Sequence, residues 1–67
     1  MTALDEAITH QRAKLLAVAN RINPRLTPDD VLSPGDFPEL TNDPLFNYEE
    51  GLLAGLISAR ALILSKP

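Results

Sequence analysis

Residues 42–64 read NDPLFNYEEGLLAGLISARALIL, the longest apolar and periodic segment of a 67-residue chain. Asp43 followed by Pro44 suits a helix start. The cap carboxylate accepts amide hydrogens, and proline at the first position has no amide to satisfy. Asn47 with Glu50 forms a second capping-box arrangement, which would place Glu49 and Glu50 against the positive end of the helix dipole. The expectation is one long helix over about residues 43–65, with a break near Asn47 as the alternative.

At roughly 100° per residue, Leu45, Phe46, Leu52, Leu53, Leu56, Ile57, Ile63 and Leu64 share one broad arc, the predicted core face. Gly51, Ala54, Gly55, Ser58 and Leu62 gather on the other side, where the two glycines lower helix propensity. Small residues four apart permit close backbone approach, so this face is read either as meeting a second helix or a partner, or as tolerant surface. A membrane dimer motif does not suit it: the apolar run from Leu52 to Leu64 is only thirteen residues and contains Arg60.

Glu49 and Arg60 fall inside the leucine-rich arc. For Arg60 two readings compete. Its stem covers apolar surface while its head reaches water, or its guanidinium bonds a carboxylate of the central connection or of a second subunit. Tyr48, the sole tyrosine, either closes the core end or anchors an interface. Tyr48, Glu49, Gly51, Gly55 and Arg60 are therefore the candidate interface residues.

Upstream, residues 23–41 read NPRLTPDDVLSPGDFPELT, and the prolines at 24, 28, 34 and 38 forbid a continuous helix. A connection of this length is unusual between antiparallel helices. Its chemistry nevertheless predicts order. Thr27 as cap, Pro28 at the first position and Asp29 and Asp30 in the first turn predict a short helix reaching Val31 or Leu32. Pro34 and Gly35 fit a tight turn, and Phe37 before Pro38 is biased to extended backbone. Leu26, Val31, Leu32, Phe37 and Leu40 are the side chains available to pin this segment across a helix pair.

The chain opens with a second long periodic segment, TALDEAITHQRAKLLAVANRI, capped by Thr2 and Asp5. Leu4, Ile8, Gln11, Leu15, Val18 and Ile22 alternate in steps of four and three. A helix over about residues 3–22 is about 30 Å long, matching its downstream counterpart. Gln11 is expected either to reach water or to set register in the seam. His10 falls with Glu6, Lys14 and Arg21 on the polar side, a solvated position.

Composition narrows the rest. The 45% hydrophobic content with few aromatics supports helix packing in one domain, and self-association is the simplest way to enlarge so small a core. There is no cysteine to form disulfides or thiolate metal ligands. The net charge is −3, but residues 26–50 carry seven carboxylates and no lysine or arginine, while Arg12, Lys14, Arg21 and Arg25 lie upstream. That asymmetry lets the acidic half settle over the basic helix, or steers a basic partner. No leader-like pattern opens the chain, so cytoplasmic residence is expected.

Chemistry is sparse. There is no phosphate loop, no metal-spaced group, no cysteine nucleophile and no histidine facing a serine. Adjacent Glu49 and Glu50 point about 100° apart, and residues 29–39 lack a calcium-loop ladder. A dense basic stripe and interleaved aromatics are both missing, which disfavours nucleic acid. The expected fold is all-α: two long antiparallel helices, a long ordered proline-rich connection with a short helical turn, and a four-helix bundle as a homodimer. The expected role is a self-associating protein-interaction or regulatory module without catalysis, cofactor or membrane, possessing a homo-oligomeric or heterologous protein partner. Alternatives are a small-ligand or divalent-cation binder using Asp36, Glu39, Asp43 and Glu49, and an enzyme whose site a dimer or partner completes.

Overall fold

A computed structural model describes residues 2–65. Among these every regular element is helical: α1 (Ala3–Ile22), α2 (Pro28–Val31), a 3-10 turn (Pro34–Asp36), α3 (Pro38–Thr41) and α4 (Pro44–Leu64). The long helices pack on one another. Gln11 meets Glu49 and Asp5 meets Arg60, so their directions are opposed.

Local chemistry sets the element boundaries. Thr2 accepts from the Asp5 amide and starts α1. Thr27 accepts from the Asp30 amide while the Asp30 carboxylate accepts from the Thr27 amide, a complete capping box ahead of Pro28. Asp43 accepts from the Phe46 amide at 2.8 Å, so α4 starts there and runs unbroken past Asn47. Asn47 instead donates from Nδ2 to the Thr41 carbonyl at 3.0 Å, tying α4 back to α3. Helix α3 was not expected. Phe37 is extended as its place before proline requires, yet Pro38 then serves as a first helical residue, a role the sequence reading gave only to Pro28 and Pro44. In sequence Lys66 follows the end of α4, where a cation suits the negative end of the helix dipole, but it lies outside the described residues.

The core is a single cluster of Leu15, Val18, Ala19, Leu26, Val31, Leu40 and Phe46, with Leu16, Ile22, Phe37 and Leu53 packed against it. Ile8 extends the buried line along α1. The connection therefore supplies three core side chains, Leu26, Val31 and Leu40, and acts as a structured wrap. Asn20 fastens its beginning by donating to the Leu26 carbonyl at 2.9 Å. Leu32 departs from the expected pinning set and stays 74% exposed.

The predicted core arc of α4 is too wide. Phe46 is fully buried and Leu53, Leu56 and Ile57 are partly covered, but Leu45, Leu52, Ile63 and Leu64 face outward. One helix covers only a narrow strip of its neighbour, and α3, which also packs on α4, is tied to its first turns by Asn47. Because Arg60 already lies opposite Asp5 near the start of α1, the last residues of α4 extend past the N-terminal end of α1.

Candidate interaction surface

Two kinds of site emerge on α4: a polar cluster turned inward and an apolar face turned outward. The inward positions Phe46, Glu49, Leu53, Leu56 and Arg60 recur in steps of three and four, the spacing of one helix face. Glu49 is 2% exposed, an unusual place for a carboxylate. Gln11 of α1 donates from Nε2 both to the Glu49 backbone oxygen at 3.0 Å and to its Oε2 at 3.1 Å. Lys14 brings its Nζ to 3.4 Å from the same Oε2. Gln11 is itself buried, so of its two expected readings it takes the place in the seam and does not reach water. The reason is the acceptor pair opposite it, which a one-helix reading does not reveal.

Arg60 makes the second ion pair, Nη1 to Asp5 Oδ1 at 3.4 Å, with both side chains partly exposed. Its partner within the chain belongs to α1, not to the central connection. The Thr2 hydroxyl, 2.8 Å from Asp5 Oδ2, holds the Asp5 carboxyl below its ordinary value of 3.8, and Arg60 adds to that effect. Among the described residues these are the two ion pairs, and neither uses a carboxylate of residues 23–42. Among the described residues the acidic half therefore makes one ion pair with the basic helix, Lys14 with Glu49.

The outward face of α4 is apolar. Leu45 is 49% exposed, Tyr48 64%, Leu52 41% and Leu62 67%. Gly55 and Ala59 lie between them on the same face, and Gly51 and Ser58 flank it. A Cβ built at Gly51 or Gly55 meets nothing within 4 Å, so packing within the chain does not call for glycine at either place. Of the five candidate interface residues, Tyr48, Gly51 and Gly55 lie on this exposed side. Glu49 and Arg60 are engaged with α1 instead.

A half-open groove of about 400 Å³ lies on the other side of α4, lined by Leu15, Leu16, Val31, Leu32 and Leu53. Arg12, Asp29 and Glu50 stand at it. Sequence reasoning missed this groove, which exists because α2 folds back beside α1.

The remaining candidates are dispersed. Asp43 is used as a helix cap, Glu39 accepts from Asn23 at 3.4 Å, and Glu49 is held by α1. Among the described residues no three His, Asp or Glu side chains are grouped closely enough to hold a metal ion. His10 is exposed on α1. No described helix is long and apolar enough to cross a membrane. Comparison with protein families, curated proteins and solved structures finds no match to this chain.

Proposed function

We propose that this chain is a non-catalytic protein-interaction module that self-associates, acting as an adaptor or regulatory subunit. The observation that carries the reading is the makeup of α4. Its inner side packs on α1, yet Leu45, Tyr48, Leu52, Leu62, Ile63 and Leu64 are exposed, and the helix contains only Glu49, Glu50 and Arg60 as charged residues. Helices apolar around most of their circumference belong in the interior of an assembly or in a membrane. The charged residues and the lack of a spanning segment favour the assembly.

The groove beside α2 supports the adaptor part of the reading. It lies away from the exposed face of α4, so a module assembled through that face keeps the groove free for a heterologous protein segment. Its volume is also that of a small-molecule pocket, and an apolar small ligand is the second reading. Divalent cations and catalysis rank below both, since the buried carboxylate is already engaged by Gln11 and Lys14.

Sedimentation and light scattering across a wide concentration range, with circular dichroism on the same samples, test the proposal. Mass that rises with concentration while helicity holds supports it. A helical monomer at every concentration sinks self-association.

A further inference from the structure

The outer seam of α4, in chain order Leu45, Tyr48, Leu52, Gly55, Ala59 and Leu62, is bulky in its first half and small in most of its second. Its steps are three, four, three, four and three, a heptad spacing that keeps all six residues along one line of contact. From Leu45 to Leu62 it runs about 26 Å. It contains no charged residue.

We propose that a second copy of this chain covers this seam in an antiparallel twofold contact, with Leu45 opposite Leu62, Tyr48 opposite Ala59 and Leu52 opposite Gly55 of the partner. The proposal rests on the self-association reading and specifies its interface. A twofold contact requires a patch that complements itself, and this sequence meets that requirement in one direction. Reversed against its own copy, the seam sets its two largest inner residues, Tyr48 and Leu52, on its two smallest, Ala59 and Gly55. A parallel pairing sets Tyr48 on Tyr48 and Gly55 on Gly55, which crowds one end and leaves a gap in the middle.

Charge and area point to the same occupant. A chain of net charge −3 repels its own copy in general, but a neutral seam removes that penalty at the contact. Leu45, Tyr48, Leu52, Leu62 and Ile63 are 41–67% exposed. Together they expose on the order of 500 Å² per copy, so covering them fully in both copies buries roughly 1,000 Å², the threshold for a specific interface. Glycine at 55 is also accounted for. It weakens α4 and meets nothing in its own chain, whereas the contact places a leucine over it.

The test uses the full chain, whose natural sequence has no cysteine. Leu45→Cys and Leu62→Cys variants are made separately, then oxidised alone and as an equal mixture, with mass in solution measured in parallel. The expected result is a covalent dimer in the mixture joining the two variants, and little from either alone. Cross-linking of each variant with itself overturns the antiparallel arrangement. A dimer by mass with no cross-link in any sample overturns the seam but leaves self-association standing, and a monomer by mass overturns both.

Gly55→Leu supplies an independent readout. It raises helix propensity, and the Cβ it adds meets nothing within 4 Å in its own chain, so circular dichroism should show a helix at least as stable. Its dimer should nevertheless dissociate at about tenfold lower dilution or less, because two leucines now compete for one space. Leu52→Ala combined with Gly55→Leu should recover association to within about threefold. Unchanged association of the Gly55→Leu protein overturns the proposal.

Discussion

Replacing Gln11 with leucine removes the one side chain that bonds both the backbone and the carboxylate of Glu49. Leucine fits the seam by size and polarity, and a reading of α1 alone expects a gain. The structure reverses the sign. Glu49 is 2% exposed, and its remaining partner, Lys14, is 3.4 Å away on a side chain that is 55% exposed and free to turn into water. A hydrogen bond to a charged group contributes about 1.5–3 kcal/mol, and stranding the carboxylate adds desolvation. Extra apolar burial of leucine offsets part of this, leaving a loss of about 1–3 kcal/mol.

Glu49→Leu should behave differently. It removes the buried charge, while Gln11 keeps an acceptor, because the oxygen at 3.0 Å is the backbone carbonyl. Stability should stay within about 1 kcal/mol of the parent, and the double variant Gln11→Leu with Glu49→Leu should equal or exceed it. The assay is urea unfolding followed by helical circular dichroism, at one fixed protein concentration because association shifts apparent stability. Gln11→Leu as stable as the parent, or Glu49→Leu as damaging as Gln11→Leu, would refute the argument that the carboxylate depends on the glutamine.

Phe46→Ala, at a position with no exposure between α1 and the connection, should cost about 3–5 kcal/mol, enough to abolish cooperative thermal unfolding in a domain this small; a sharp transition near the parental temperature would argue against Phe46 as the central core residue. Gly51→Ala adds a methyl group that meets nothing within 4 Å, and dilute samples should gain about 0.5–1 kcal/mol in urea unfolding. Asp5 should titrate below 3.8 when its carboxyl carbon is followed by NMR, with the largest share of the depression lost in Thr2→Ala. Since folding lowers this carboxyl's pKa, its stabilising contribution is present above 3.8 and disappears as the pH falls through the lower folded-state value.

Both long helices, the cap at Asp43 and the capped turn at Thr27 were legible because their signals are local. A cap needs an acceptor within three residues, and a proline acts on its own turn. The stripe on α1 was legible as well: Ile8, Leu15 and Val18 are buried where periodicity placed them. That helix has one apolar side, so periodicity alone orients it. On α4 the same reasoning failed at Leu45, Leu52, Ile63 and Leu64, because residues apolar on several sides do not state which side faces inward.

Tertiary structure decided what no single segment encodes. It selected the inner side of α4 through Phe46 entering the cluster around Leu15 and Leu40, and it matched Gln11 with Glu49, 38 residues apart. It also gave Arg60 to Asp5 rather than to the acidic connection, and opened the groove beneath Leu32. Sequence determines where helices begin and end because those preferences act over one turn. Which faces meet is decided by fitting volumes and pairing buried polar groups across the chain, and that left Leu45, Tyr48, Leu52 and Leu62 in water.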